Sequence, residues 1–142
     1  MNSKKRVCFI FVSASLLIII TAGCIQTVQT VRFPISMETP AAEGQAKISR
    51  DKNNNTKIKL TVNHLALPEH LAPPKAVYVV WIRSEDRLVN LGQLRVDKRL
   101  KGNFDGVTPL KEFRIFITAE NNYTVVNPSS LVVLETEIFR VD

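Results

Sequence analysis

The strongest constraint on the fold of this chain is an alternation of polar and apolar residues with a period of two. It is clearest in residues 56–65, TKIKLTVNHL, where Ile58, Leu60 and Val62 share one face and polar side chains share the other. Successive side chains of a strand point to opposite faces, so the pattern predicts a half-buried strand. Residues 51–55, DKNNN, precede it and predict a hairpin turn.

Six more segments, separated by turn-forming residues, are predicted strands: residues 47–50, 76–82, 87–96, 100–104, 110–120 and 131–139. Residues 76–82, AVYVVWI, are apolar on both faces, which predicts a central strand covered on both sides. Gly92 predicts a bulge or a close approach of the backbone, and Asp105-Gly106 predicts a turn. The sequence thus predicts an all-β fold, an immunoglobulin-like β-sandwich of about seven strands over residues 44–142.

The first 24 residues form a leader with its parts in a fixed order. Residues 4–6 are Lys-Lys-Arg, and residues 7–20 form an apolar run of 14 residues broken only by two serines. That length suits the hydrophobic region of a signal peptide and is short for a membrane span of about 20 residues. Small residues then precede Cys24. The order predicts a signal helix that is removed by cleavage between Gly23 and Cys24.

The residues Thr21-Ala22-Gly23-Cys24 resemble the lipobox of bacterial lipoprotein signal peptides, although that family prefers Leu where this chain has Thr21. The resemblance covers the first 24 residues. It implies that the Cys24 thiol takes a diacylglyceryl group through a thioether, that the peptide is cut before Cys24, and that the new amine is often acylated. Two or three acyl chains release a protein slowly, whereas one chain holds it only marginally.

These features predict three parts: a signal peptide (residues 1–23), a lipidated cysteine with a flexible tether (residues 24–43) that has a short strand near residues 28–35, and a β domain (residues 44–142). A tether of about 20 extended residues would reach about 65 Å and clear the lipid headgroups. The predicted location is the extracytoplasmic side of the cell membrane, or the outer membrane if the host is Gram-negative. The membrane is therefore the first predicted partner.

Charge and cysteine content argue against several functional classes. Three of the 19 Lys and Arg residues lie in the leader, so 16 basic and 13 acidic residues remain and the net charge falls from +6 to +3. The charges are interspersed, with Lys98, Arg99 and Lys101 as the densest basic cluster, which argues against nucleic-acid binding. Cys8 leaves with the leader. Cys24 would then be the sole cysteine, leaving no disulfide and no thiolate metal site.

Few residues suggest chemistry. His64 and His70, with Glu69 between them, are weak candidates for a metal site, and two separate surface histidines are the simpler interpretation. Ser84 is followed by two acids but lacks a nearby histidine to act as the base of a catalytic triad, and the sequence has no Gly-x-Ser-x-Gly motif. No glycine-rich phosphate loop is present. We therefore predict no catalytic residues, no enzyme activity, no cofactor and no metal.

Four short motifs lie along the predicted strands and the loop before the last strand. They are Tyr78-x-x-Trp81, the Leu91-Gly92 step, residues 117–120 (ITAE) and the proline-containing residues 127–130. With them, residues 44–139 resemble the extracytoplasmic C-terminal domain of anti-sigma-K type factors. The resemblance implies an envelope domain that senses or binds. The chain lacks that family's cytoplasmic sigma-binding domain and full transmembrane helix, so sequestration of a sigma factor is not implied.

The preferred hypothesis is a non-enzymatic envelope lipoprotein that binds or senses a protein or a cell-wall polymer through the surface of its β-sandwich. The alternative is a structural module that pairs an edge strand within an envelope assembly. The immediate repeat of residues 26–28, QTV, as residues 29–31 motivates this alternative. A metal-binding periplasmic protein is a distant third.

Overall fold

The computed structural model describes residues 27–141, and almost all of its regular structure is β-strand. Within this range the chain forms nine strands and a short 3₁₀ helix. The strands are β1 (Gln29–Arg32), β2 (Glu43–Arg50), β3 (Thr56–Asn63), β4 (Val77–Arg83), β5 (Leu88–Val96), β6 (Gly102–Thr108), β7 (Glu112–Glu120), β8 (Val132–Glu135) and β9 (Phe139–Arg140). No helix in the described range is long and apolar enough to cross a bilayer. The prediction of an all-β fold is confirmed.

The strands form one antiparallel sheet that curls around a core. Their order is β1-β2-β3-β6-β5-β4-β7-β8, and β9 pairs with β7. The link between β5 and β6 is short, since only Arg95 with Asn103 and Val96 with Gly102 are paired. We call β1-β2-β3-β6 the first half of the sheet and β5-β4-β7-β8 the second half. The main core takes buried side chains from both halves, so it lies on the concave side.

Strand β3 shows how the alternating sequence builds this core. Ile58, Leu60 and Val62 are at most 1% exposed. Lys57 and Lys59, between them, are exposed. Complete burial of such an aliphatic side chain stabilises the fold by about 1.5–3 kcal/mol. The predicted half-buried strand is confirmed.

Strand β4 is buried on both faces, as its sequence predicts. Tyr78, Val80 and Ile82 belong to the main core. Val79 and Trp81 point the other way and form a second, smaller buried cluster with Phe116 of β7. The Trp81 and Phe116 rings are stacked, with centroids 6.1 Å apart. The central strand of the second half therefore needs a cover on its outer side as well.

The predicted bulge at Gly92 is confirmed. Gly92 has φ +127°, a backbone conformation that side chains of L residues rarely adopt. The register between β4 and β5 shifts at this point, between Val80 and Trp81. Asn90 Oδ1 accepts a hydrogen bond from the Gly92 N–H at 2.9 Å. Bulges increase local twist, which suits the position of β5 at the corner between the two halves.

The turn predicted at Asp105-Gly106 is wrong. Both residues lie within β6, opposite Lys59 and Ile58 of β3. A Cβ atom on Gly106 would lie 2.7 Å from the ring of Phe104. The glycine therefore makes room for an aromatic ring within a strand, which is a common role of glycine in sheets, and does not reverse the chain.

The last predicted strand, residues 131–139, is interrupted and forms β8 and β9. Between them, the Thr136 N–H donates to the Ile115 carbonyl at 2.9 Å, and Thr136 Oγ1 accepts from the Ile115 N–H at 3.0 Å. Phe139 then packs edge-on against Phe113, with ring centroids 4.8 Å apart. This interruption, together with β1, accounts for the difference between nine strands and the seven predicted.

An ordered segment occupies most of the stretch predicted as a flexible tether. Gln29–Arg32 forms β1 along the edge of β2. Phe33 is buried, and a Cβ atom on Gly44 would lie 2.8 Å from its ring. Thr39 Oγ1 donates to the Val133 carbonyl of β8 at 3.0 Å. The connection between β1 and β2 therefore crosses from one end of the strand order to the other.

Candidate functional site

The residues predicted for lipidation and signal cleavage, Cys24 and Gly23, lie outside the described range of 27–141. Their roles stay predictions.

The two histidines lie on different local structures. His64 follows β3 with φ 56° and is exposed, and His70 ends the 3₁₀ helix Pro68–His70 and is also exposed. Among the described residues there is no group of three or more His, Cys, Asp or Glu side chains that could hold a metal ion. Neither histidine therefore has the further ligands that a metal centre requires.

Ser84, the serine that is followed by two acids, serves a turn. Its Oγ donates to Asp86 Oδ1 at 3.1 Å, and its backbone N–H donates to the Arg87 carbonyl at 2.9 Å. The side-chain bond is solvent-exposed and closes the connection between β4 and β5. The Ser84 hydroxyl is thus engaged within its own turn.

The outer side of the second half is closed by the chain itself. Residues 121–131 form the cover. Val125 of the cover and Val132 of β8 pack onto the cluster of Val79, Trp81 and Phe116. Asn90 Nδ2 holds the cover from β5, since it donates to the carbonyls of residues 123 and 125 at 3.0 and 2.8 Å. The cover therefore closes this side over Val79, Trp81 and Phe116.

A buried hydrogen-bond network fixes the base of the same cover. Trp81 Nε1–H donates to Thr118 Oγ1 at 2.8 Å, and the Thr118 hydroxyl donates to Glu120 Oε1 at 2.6 Å. The Ser129 N–H donates to the same Glu120 oxygen at 2.7 Å. Glu120 is only 5% exposed. Buried polar groups need such partners, so this carboxylate has a structural role in holding the cover.

The outer side of the first half is open and polar, and we call it the polar face. It consists of the outward side chains of β1, β2, β3 and β6: Thr30, Arg32, Glu43, Gln45, Lys47, Ser49, Lys57, Lys59, Thr61, Asn63, Asn103, Asp105 and Val107. Strand spacing and rise make it about 14 Å wide and about 26 Å long. Four cations and two carboxylates give it a net positive charge.

The strand register sets the charge pattern on the polar face. Lys47 of β2 stands directly opposite Lys59 of β3. Lys59 faces Asp105 on its other side at 4.0 Å, whereas Lys47 faces Thr30. Like charges directly opposite each other destabilise a sheet, and an exposed ion pair compensates only weakly. An anionic group bound between the two ammonium groups would relieve this repulsion.

A second row on the polar face carries one guanidinium and three uncharged polar side chains. Arg32, Gln45, Thr61 and Asn103 follow one another across the four strands. Thr61 Oγ1 donates to Asn103 Oδ1 at 3.3 Å. The row thus offers a guanidinium, two amides and a hydroxyl at strand spacing, a set that can hydrogen-bond to an extended polar chain laid across the strands.

A cleft of about 430 Å³ lies at the end of the polar face where β1 ends and β2 begins. Its lining residues are Arg32, Phe33, Ile35, Ala42, Glu43, Gly44, Gln45 and Asn63. Ile35 is 86% exposed at its rim. The cleft combines apolar wall with a cation, a carboxylate and two amides, the mixture that fixes the orientation of a bound group.

A second cleft, of about 310 Å³, lies between the 3₁₀ helix and the strands β4 and β5. Tyr78 lines it and donates its hydroxyl to the Ala66 carbonyl at 2.8 Å. Burial, with a smaller effect of Glu69, raises the pKa of Tyr78 to about 12. The phenol therefore stays protonated and serves as a structural donor.

Exposed aromatic rings can stack on sugars. Tyr78 and Trp81 cannot do so, because each is at most 1% exposed, whereas Tyr123 is 53% exposed.

No family model, curated protein or solved structure matches this chain. The resemblances to lipoprotein signal peptides and to anti-sigma-K type domains therefore stay predictions. Sequence reasoning missed the polar face as a site, although the alternation in residues 56–65 already placed Lys57 and Lys59 outward. The missing information was the register of the β2–β3 hairpin, which places Lys47 opposite Lys59, and the strand order, which brings Asp105 beside Lys59.

Proposed function

We propose that this chain is a non-enzymatic lipoprotein of a bacterial cell envelope, anchored through Cys24, whose β domain binds or senses an envelope protein or a cell-wall polymer. The observation that carries the binding role is the contrast between the two outer sides of the sheet. One is covered by residues 121–131 over Val79, Trp81 and Phe116, and the other is open and mostly polar, with a net positive charge. Anionic groups on an extended polymer fit that surface.

The anchor is supported by the order of charge, apolar run, small residues and cysteine in the leader. Mass spectrometry of the mature N-terminus tests it. We expect a chain that begins at Cys24 and carries the added mass of the acyl groups. An intact Met1, or a free Cys24 thiol, would contradict it. The proposed site of attachment is the extracytoplasmic side of the cell membrane, or the outer membrane in a Gram-negative host.

The binding role is tested with the full lipidated protein and isolated cell-wall polymer. We expect Lys47→Glu with Lys59→Glu to weaken binding roughly tenfold or more, which corresponds to about 1.4 kcal/mol. Lys98→Glu with Lys101→Glu, outside the polar face, is the matched control and is expected to change binding little. Equal losses in the two variants would show that binding follows net charge and not this surface.

The immunoglobulin-like sandwich is part of the proposal for the domain. It is supported by strand order, since β2-β3-β6 and β5-β4-β7-β8 correspond to strands A-B-E and C′-C-F-G of that architecture. Nuclear Overhauser effects between the methyl groups of Leu60 and Ile117 test whether the two halves face each other closely. We expect such contacts in solution, and their absence would leave only a curled sheet.

Edge-strand pairing is the second candidate, and β1 favours it. β1 is the outermost strand at one end of the sheet, so no described strand pairs with its outer edge. The Phe33 N–H donates to the Gly44 carbonyl at 3.0 Å. Alternation in an antiparallel ladder then directs the backbone groups of Thr30 and Arg32 to the outer edge. The other end of the order differs, because Thr39 already caps the Val133 carbonyl of β8.

A proline at the outer edge separates pairing from folding. Thr30→Pro removes an outward N–H, whereas Val31→Pro removes an N–H directed to β2. If β1 pairs with a partner strand, Thr30→Pro abolishes assembly, measured by crosslinking in membranes, while the circular dichroism spectrum is kept. Assembly that survives Thr30→Pro rules out pairing at this edge.

A further inference from the structure

The second row of the polar face, which begins at Arg32 and reaches Asn103, continues onto β5. Asn103 of β6 pairs with Arg95 of β5. Directly paired residues of neighbouring strands place their side chains on the same side of a sheet, and Arg95 is exposed. The row therefore crosses the five strands β1, β2, β3, β6 and β5 and has an arginine at each end. We call it the cross-strand row: Arg32, Gln45, Thr61, Asn103 and Arg95.

The spacing of the strands sets the length of the cross-strand row. Neighbouring strands lie about 4.8 Å apart, so the backbones of Arg32 and Arg95 are about 19 Å apart along the sheet. Gln45, Thr61 and Asn103 place one uncharged side chain on each strand between them. Amides and hydroxyls both donate and accept hydrogen bonds. A ligand laid along the row thus meets a cation at each end and uncharged hydrogen-bonding groups in the middle.

The cross-strand row joins the two clefts of the sheet. Arg32 and Gln45 line the cleft of about 430 Å³ at the end of β1. Arg95 lines the cleft of about 310 Å³ beside β4 and β5, together with Gln93 two residues before it. Each arginine therefore lies in a concave part of the surface, beside the amide of a glutamine. Concave sites with a few polar groups are where ligands are held in a fixed orientation.

The arginines of the cross-strand row are not engaged by the protein. Within residues 27–141, no side-chain hydrogen bond or ion pair involves Arg32, Gln45 or Arg95. Arg114 of β7 differs, because its Nη1 lies 2.8 Å from Glu135 Oε1. A free guanidinium has a planar fork of donors that matches a carboxylate with two parallel hydrogen bonds. Both ends of the row can bind an anionic group in this way.

The carboxylates near the cross-strand row narrow the class of ligand. Glu43 lines the first cleft and Glu69 lines the second. Asp105 is already opposite Lys59 at 4.0 Å, and Lys59 and Lys47 flank the middle of the row one two-residue step, about 7 Å, along the strands. An ionised carboxylate only accepts hydrogen bonds. Each cleft therefore suits a ligand that carries hydroxyl donors beside its anionic groups.

Three further cations lie close in sequence to Arg95 but outside the cross-strand row. Lys98, Arg99 and Lys101 belong to the turn of residues 97–101, beyond the ends of β5 and β6. The carboxylate of this turn, Asp97, accepts the N–H groups of residues 99 and 101 and lies 3.7 Å from Arg99 Nε. This turn provides a control that separates the position of a charge from its presence.

We infer that the cross-strand row binds a linear polysaccharide that carries carboxylate groups, with the sugar chain laid across the strands. The inference rests on the proposed binding of a cell-wall polymer and names its chemical class. Arg32 and Arg95 bind carboxylates of the polymer, and the uncharged side chains between them exchange hydrogen bonds with sugar hydroxyls. Glu43 and Glu69 accept from hydroxyls of the same chain. A polyphosphate has no hydroxyl donors along its chain, so these two carboxylates repel it.

The first test measures ligand class by calorimetric titration of the full lipidated protein. The probes are polygalacturonate, the same polymer with its carboxyl groups reduced to alcohols, and polyphosphate. We expect polygalacturonate to bind roughly tenfold or more tightly than either of the others, because only it offers carboxylates and hydroxyls together. Absence of polygalacturonate binding, equal binding of the reduced polymer, or equal binding of polyphosphate overturns the inference.

The second test removes the arginines one at a time. Arg32→Gln and Arg95→Gln keep a polar side chain, and each is expected to weaken polygalacturonate binding roughly tenfold, with an unchanged circular dichroism spectrum. Arg99→Gln removes a guanidinium from the neighbouring turn and is the control, with little expected change. Wild-type affinity in both row variants, or an equal loss in Arg99→Gln, contradicts recognition by the row.

Oligogalacturonates of graded length test whether the sugar chain lies across the strands. An oligomer too short to span about 19 Å can use either arginine, so each single variant is expected to lose little affinity for it. A longer oligomer contacts both arginines and is expected to show the full loss in each variant. Equal losses for short and long oligomers would mean that the ligand does not bridge Arg32 and Arg95.

Isolated cell-wall polymer separates this inference from the proposed function. If that polymer binds and binding is lost in Lys47→Glu with Lys59→Glu but kept in Arg32→Gln and Arg95→Gln, the row inference fails and the proposed binding role stands. If neither polygalacturonate nor cell-wall polymer binds, and crosslinking in membranes captures no envelope protein, both proposals fail.

Discussion

The two outer sides of the curled sheet are made from strands of similar length but opposite composition. On the second half, β4 and β7 place Val79, Trp81 and Phe116 outward, and residues 121–131 are required to cover them. On the first half, β2 and β3 place Lys47 and Lys59 outward and remain open. The comparison teaches that a buried network stabilises one side under its cover, whereas the other side is left open to solvent.

Among these predictions, removal of the Trp81 side chain is expected to cause the largest loss of stability, on the covered side of the sheet. Trp81 is fully buried, stacks on Phe116 and donates to Thr118. Trp81→Ala is expected to lower the free energy of unfolding by about 3–5 kcal/mol, as for other buried aromatic residues. Urea denaturation measures it. Trp81→Phe keeps a ring and is the matched control with a smaller loss. A loss below about 1 kcal/mol for Trp81→Ala would show that the cover collapses into the space.

Loss of the Glu120 carboxylate is expected to release the cover with a smaller effect on the whole fold. Glu120→Ala leaves the Thr118 hydroxyl and the Ser129 N–H without their acceptor. Each buried donor left without a partner costs about 1–3 kcal/mol. Hydrogen exchange at the Ser129 amide is expected to accelerate more than exchange in β3. Glu137→Ala, at an exposed position, is the control, and equal acceleration in both variants would exclude the network as the cause.

The same comparison shows what sequence could predict. The alternation in β3 and the two-sided apolar run of β4 predicted those strands, because each strand's burial is set by its own residues. The prediction of a turn at Asp105-Gly106 was wrong. Gly106 lies within β6 and leaves room for the Phe104 ring, a contact that composition does not reveal. The polar face was not predicted as a site, because the pairing of Lys47 with Lys59 depends on the hairpin register and the position of Asp105 beside Lys59 depends on strand order.

The open side is expected to lose stability in acid through its turn. The N–H of Asn55, and more weakly its side chain and the N–H of Asn53, hold the pKa of Asp51 below its ordinary value of 3.8. The folded state therefore favours the charged form. The stabilisation is present above pH 3.8 and is lost as pH falls through the lower folded pKa. NMR titration of the Asp51 carboxyl measures the shift, and an unshifted pKa would contradict it.

Asp97 offers a second test of the turn mechanism. The N–H of Lys101 is the main cause that lowers the pKa of Asp97, followed by that of Arg99. Asp51→Asn is expected to reduce the acid dependence of stability and to loosen β2 and β3, as seen by hydrogen exchange. Asp97→Asn is expected to reduce it equally but to loosen β5 and β6. Identical exchange patterns in the two variants would show that the turns do not act locally.

The smallest expected effect separates recognition from stability on the open side. Lys47→Thr removes the like charge opposite Lys59 and adds a β-branched residue on an exposed strand, so stability is expected to rise by about 0.2–1 kcal/mol. Binding of an anionic polymer is expected to weaken in the same variant. Lys98→Thr, in the turn of residues 97–101, is the control and is expected to change neither. If Lys47→Thr raises stability and leaves binding unchanged, the lysine pair does not take part in recognition and the binding role of the polar face must lie in the row of Arg32 and Gln45.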